Sequence, residues 1–170
     1  MKYLMTTLTM LAFLTFSVQA QQEVKSPPKV VKSKIGNVDV TIDYSSPAVK
    51  GRTTWGGQLV PFEKVWRTGA NSATWIESSG DLSVAGETLP AGKYSIFTIP
   101  HENNTCTVIF NKEWKQWGHY NYNEAEDVLR ITVPKTDSPE MTERMTFDIS
   151  DSALMLKWHD WIVSIDTNAI

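Results

Sequence analysis

Residues 38–44 read VDVTIDY, with Val38, Val40, Ile42 and Tyr44 alternating against Asp39, Thr41 and Asp43. A period of two puts every apolar side chain on one face of an extended strand, so this strand is buried on one side and wet on the other. Runs of similar character follow at 74–77, 82–84, 93–99, 105–110, 128–133, 145–149, 154–158 and 161–165. With a first strand at 30–34, the chain predicts about ten strands. All eight prolines fall outside these runs, as strands that must donate ladder hydrogen bonds require. No stretch has the length and period of an amphipathic helix, and only 112–122 has room for a turn or two. The expected fold is all-β: an antiparallel β-sandwich of about ten short strands with one long irregular loop.

Two hairpins can be set in register. Gly86-Glu87 fits the Gly-X pair of a type II′ turn and sets Val84 opposite Leu89. His159-Asp160, as a two-residue turn, sets Trp158 opposite Trp161, Leu156 opposite Val163 and Leu154 opposite Ile165. That arrangement gives three apolar pairs on one face.

Outside the strands, residues 1–20 (MKYLMTTLTMLAFLTFSVQA) carry one lysine, then an apolar core at 8–16, then Val18-Gln19-Ala20. Small residues at the −3 and −1 positions complete the three-part pattern of a secretory signal peptide, and the core is shorter than a membrane span. The expectation is cleavage near Ala20 and a periplasmic or extracellular protein; an uncleaved N-terminal anchor is the alternative. No cysteine stands near Ala20 to receive a lipid. Residues 21–29, polar with Pro27-Pro28, read as a flexible lead-in, and 30–170 as a single β-sandwich domain. No later stretch approaches the roughly eighteen consecutive apolar residues of a membrane span.

The 170 residues hold 16 Lys+Arg against 19 Asp+Glu, a net charge of −3, and are 41% hydrophobic. This balance excludes wholesale disorder and argues against a nucleic-acid partner. Cys106 is the only cysteine, so no intrachain disulfide can form. Its place in the apolar run 105–110 marks a buried side chain rather than a nucleophile.

The segment 45–71 breaks the strand rhythm, with Gly51, Gly56, Gly57, Gly69, Pro47 and Pro61. A long irregular stretch inside a compact domain is commonly functional, although a short strand fits at 58–62. Lys50, Arg52, Lys64 and Arg67 against Glu63 make it locally basic in an acidic chain, and it carries Trp55 and Trp66. SSPAVKGRTTWGG (45–57), VPFEKVWRTGAN (60–71), LPAGKYSIFTIP (89–100) and VIFNKEWKQWGHYNYNEAEDVLR (108–130) together resemble a family of secreted bacterial proteins, the domain of unknown function 2911. The resemblance covers about 35–165. It implies an exported, mainly β domain, and no activity, cofactor or catalytic residue comes with it.

Motifs for phosphate loops, serine elbows and zinc proteases are absent. His101, His119 and His159 lie far apart in sequence, so neither a metal site nor a cofactor is expected. Glu77, Glu113, Glu124, Glu126 and Asp127 are acids of the type glycosidases use, but their spacing fixes no pair. The stronger signal is two aromatic segments, Trp55…Trp66-Arg67 and 114–122. Aromatic faces suit the C–H faces of sugars, and arginines suit carboxylates and phosphates.

The expected function is therefore an exported, non-enzymatic module binding a saccharide or an anionic small molecule. Its site residues are Arg52, Trp55, Trp66, Arg67, Asn71, Trp117, His119 and Tyr122. One alternative is a hydrolase of carbohydrate or cell-envelope material, with an acid pair or His119 as general base. Another is a structural or protein-interaction module of the envelope. Trp75, Trp158 and Trp161 sit in strand pattern and are expected in the core. Trp55 and Trp66 have a competing reading as core plugs, and the three-residue spacing of Trp114, Trp117 and Tyr120 also fits one buried side of a short helix.

Overall fold

A computed structural model describes residues 24–170; the signal peptide expected at 1–20 lies outside the described residues. The strands are β1 (Pro28–Ile35), β2 (Val38–Ser45), β3 (Thr74–Ser78), β4 (Leu82–Val84), β5 (Glu87–Leu89), β6 (Gly92–Pro100), β7 (Thr105–Asn111), β8 (Asp127–Ile149) and β9 (Ala153–Ala169). Every pairing between these strands is antiparallel, so the all-β expectation holds. The nine strands form one hydrogen-bonded order, β1-β2-β3-β6-β7-β8-β9-β4-β5, rather than two separate sheets. β1 opens at Pro28, within the stretch expected as a lead-in. No helix among the described residues is long and apolar enough to cross a membrane.

Among the described residues the sheet does not close into a barrel; it folds back along β8, which changes partner part-way along its length. Its first part pairs with β7 as far as Pro134, and from Lys135 it pairs with β9. Proline has no N–H to donate, so it suits the residue where one ladder ends and the next begins. Beyond that point the sheet lies back over β2. The Tyr44 and Phe147 rings meet edge-on at 5.2 Å, and the Phe147 N–H donates to the Tyr44 hydroxyl at 3.3 Å. Val40, Ile42, Ile76, Val108, Phe110, Leu156 and Val163 are all buried in one core cluster.

The C-terminal hairpin expected at His159-Asp160 does not form. Residues 153–169 are one strand, and β9 pairs with β8, Phe147 opposite Leu156 and Asp137 opposite Trp161. Trp158 and Trp161 both point inward although three positions apart, because His159, with φ at +56°, and Asp160 both face outward. The β8–β9 register shifts on either side of His159, with the extra residues on β8, so β9 continues without reversing. The β4–β5 hairpin does form, one residue earlier than expected. Ala85-Gly86 is its turn, with φ at +51° and +89°, so Val84 faces Glu87 and Leu82 faces Leu89. Two positive φ values define the type I′ turn, whose twist matches antiparallel strands.

Trp75 is corrected as well. It lies on the outer face of β3, half-buried, while Thr74 and Ile76 on either side point into the core. The Lys93 ammonium sits 3.3 Å from the Trp75 ring centroid and 4.1 Å from that of Trp114, a cation–π sandwich that covers the indole from outside. Residues 112–122 form no helix. Trp114, Trp117 and Tyr120 are exposed by 37%, 64% and 77%, so they line no buried side. Only a single 3-10 turn, Glu124–Glu126, follows, capped by the Asn123 side chain.

The segment 45–71 stays irregular, and 58–62 is not a strand. Gly56 is required there: φ is +72°, and a Cβ would meet the Phe62 ring at 2.3 Å. Cys106 is buried, as expected, and burial pushes its thiol pKa up to about 12.

Candidate functional site

The first irregular segment feeds Val49, Trp55, Val60 and Trp66 into the main core, while its Val65 and Tyr122 of the second segment pack on the outer face of the sheet. Beneath them Ala73, Phe97 and Ile109 form a second small core, with Val65, Ile99 and Tyr122 packed on it. This covering explains why β6 and β7 are buried on both faces. The first loop is zipped to β6, the Trp66 N–H donating to the Thr98 carbonyl at 2.8 Å and the Thr98 N–H returning to Trp66 at 2.9 Å. The second loop is tied to the first by a short antiparallel seam. The Ala73 N–H donates to the Gln116 carbonyl and the Gly118 N–H to the Asn71 carbonyl, each at 3.0 Å. The two segments that the sequence singles out are thus brought together.

An open cleft of about 490 Å³ lies between them, lined by Gln58, Lys64, Trp66, Arg67, His119 and Tyr120 among others. The Arg67 Nε and the His119 Nδ1 are buried and have no hydrogen-bond partner among the described residues. Burial and the neighbouring Arg67 charge both hold the His119 imidazole below its ordinary pKa. Burial likewise lowers that of Arg67. His119 stacks on Tyr120 at 5.1 Å between centroids. A neutral imidazole beside a desolvated guanidinium makes this end of the loops electropositive and short of acceptors.

Of the other expected site residues, only Trp66 also lines this cleft. Trp55 is core: it stacks on Trp161 at 4.6 Å, meets Trp66 and Trp158 edge-on, and donates its indole N–H to the Trp158 carbonyl. Trp66 is 5% exposed and stacks on Trp158 at 5.5 Å, so it belongs to that cluster while lining the cleft. Arg52 turns back to the Val49 and Ala48 carbonyls at 3.0 and 2.6 Å. Asn71 donates its side-chain amide to the Ser45 hydroxyl. Tyr122 is half-buried against Phe97; its hydroxyl donates to Asp127 at 2.6 Å and accepts from Arg130 at 2.9 Å. Burial, and next the Asp127 carboxylate, push the Tyr122 pKa upward. Trp117 stays exposed, at the seam.

Lys64 and Tyr120 line the cleft but are missing from the expected set. Both stand within three residues of members of that set, in the two segments already marked by charge and aromatic content.

An imidazole held by an acid also exists, but at His101 rather than His119. The His101 Nδ1 lies 2.6 Å from Glu63 Oε2, and Nε2 lies 2.8 Å from the Thr107 hydroxyl, which meets the Thr132 hydroxyl at 2.8 Å. The order acid–imidazole–hydroxyl matches that of hydrolytic triads. Yet Thr107 is only 8% exposed and is engaged on both sides, so the arrangement is a tether that fastens the Glu63 loop to the sheet. Replacing His101→Phe is expected to cost about 1–3 kcal/mol in urea unfolding. It should also speed hydrogen exchange of the Glu63 and Trp66 amides; unchanged exchange there would contradict the tether.

Fold and cleft together define an all-β domain with an open cleft between two surface loops, and with no metal-binding cluster of side chains among the described residues. The chain belongs to the family described as Protein of unknown function (DUF2911), whose model matches residues 26–167. No curated protein and no solved structure matches it.

Proposed function

We propose that this chain is an exported, non-enzymatic binding module that takes an anionic ligand, a carboxylated saccharide or a small anion, in the cleft between its two loops. The observation that carries the reading is that Arg67 and His119, which line one cleft, each hold a buried nitrogen, Nε and Nδ1, without a hydrogen-bond partner among the described residues. A buried donor without an acceptor costs about 1–3 kcal/mol. A carboxylate entering the cleft supplies acceptors to both residues and offsets that cost through charge-assisted bonds. Lys64 adds a second cation at the rim, and Tyr120, 77% exposed, adds an aromatic wall. The pattern of residues 1–20 supports export.

The test is calorimetric titration with glucuronate and with glucose as its uncharged counterpart. Glucuronate is expected to bind at least about tenfold more tightly, and Arg67→Ala to remove that preference without unfolding the domain. The sign of the pH dependence follows from His119. In the free protein Arg67 and burial keep the ring neutral; a bound carboxylate favours the imidazolium and raises its pKa. Binding then takes up a proton, so affinity should rise as pH falls from about 8 to about 6. Equal affinity for the two sugars, or an Arg67→Ala protein that no longer folds, contradicts the reading.

A further inference from the structure

At the opposite end of the loop seam lies a second cleft, of about 250 Å³, walled by Trp75, Trp114 and Trp117. The seam is antiparallel, so the residues before it on one loop and after it on the other form the anion cleft, and the reverse pair forms this one. Gln116 lines the second cleft, and its Oε1 is buried without a hydrogen-bond partner among the described residues. Lys93 fixes Trp75 and Trp114 through their faces, while Trp117 stays 64% exposed. The wall is thus partly pre-set and partly open.

We propose that the two clefts are adjoining subsites for one extended acidic glycan, an inference that rests on the anion-cleft reading above. A charged sugar unit occupies the Arg67–His119 cleft. The next unit lies across the seam with a C–H face on Trp117 and a hydroxyl donating to Gln116 Oε1. Only Gly118 separates Trp117 from His119, so their Cα atoms are within about 7 Å, a spacing on the scale of one sugar unit. A free anion uses the first cleft and leaves the tryptophan wall and the Gln116 oxygen unmatched. A sugar chain matches both, because its rings present apolar faces and hydroxyl rims together.

The experiment compares galacturonate with its α-1,4-linked trimer on the wild-type chain, Trp117→Ala and Arg67→Ala. The trimer is expected to bind at least about tenfold more tightly than the monomer, beyond the roughly threefold that three equivalent units give by statistics. Trp117→Ala should bring the trimer down to the monomer's affinity and leave the monomer within about twofold. Arg67→Ala should weaken both. A monomer that depends on Arg67 while the trimer gains nothing, or a trimer indifferent to Trp117→Ala, overturns the two-subsite inference alone. Failure of both sugars to bind overturns the anion cleft and this inference with it.

Discussion

Trp55→Ala is expected to lower the stability of the domain by about 3–5 kcal/mol, as large-to-small changes at buried aromatics do. The indole is 8% exposed and touches three other tryptophans, stacked on Trp161 and edge-on to Trp66 and Trp158. Truncation opens a cavity in the middle of that cluster. It also removes the N–H that reaches the Trp158 carbonyl at 3.2 Å. The collapse that would fill the cavity is opposed from behind, where Gly56 and Phe62 are in close contact. Urea unfolding followed by tryptophan fluorescence measures the loss. Trp117→Ala, by contrast, should change stability by no more than about 0.5 kcal/mol, as substitutions at exposed positions usually do. Comparable losses for the two variants would mean that the division into core and surface tryptophans is mistaken.

That division was only half legible in the sequence. Strand identity was readable where one face is wet, as in β2, because alternation then leaves a single phase. Trp75-Ile76 is ambiguous for the same reason: two adjacent apolar residues fit either phase, and the choice depends on Lys93 and Trp114, distant in sequence. At the C-terminus, Leu154, Leu156 and Trp158 followed three positions later by Trp161, Val163 and Ile165 suit a tight hairpin and one continuous strand equally well. The deciding partner is β8, and its own runs at 128–133 and 145–149 look like separate strands because Pro134 and Pro139 stand between them. Pro134 instead marks the change of partner, and Pro139 falls in the bulged stretch between Asp137 and Thr142.

For the candidate site, local charge and aromatic content single out the two loops that the structure brings together. They did not say which side chains face outward. Arg52 and Arg67 are alike in sequence, yet one is spent on the Val49 and Ala48 carbonyls and the other has a buried nitrogen unmatched. A side chain's choice between its own loop and a cleft depends on backbone positions that no local pattern encodes.

Asn111→Ala is expected to have a comparable effect on stability and a larger one on the loops. Asn111 is fully buried where the β7–β8 register shifts, and it gathers the ends of the second loop. Its amide nitrogen donates to the Asn123 carbonyl at 2.9 Å and to Asp127 at 2.7 Å, and its oxygen accepts the Glu113 N–H at 2.9 Å. Losing three part-buried bonds from a fully buried side chain, one of them to a carboxylate, should cost about 3 kcal/mol. Because those bonds close the loop that carries Trp117 and His119, exchange of the Ala73 and Gly118 amides across the seam should accelerate. Glucuronate affinity should fall although Arg67 is untouched. Asn111→Asp sharpens the argument, since it keeps the shape but sets a buried carboxylate against Asp127. Burial and a like charge raise the folded-state pKa of the introduced group above its unfolded value. The folded state then binds the extra proton more tightly, so the deficit relative to wild type should be full at neutral pH and shrink as pH falls below about 5. Seam amides as well protected in Asn111→Ala as in wild type, or an Asn111→Asp deficit that grows in acid, would show that Asn111 does not hold the loop.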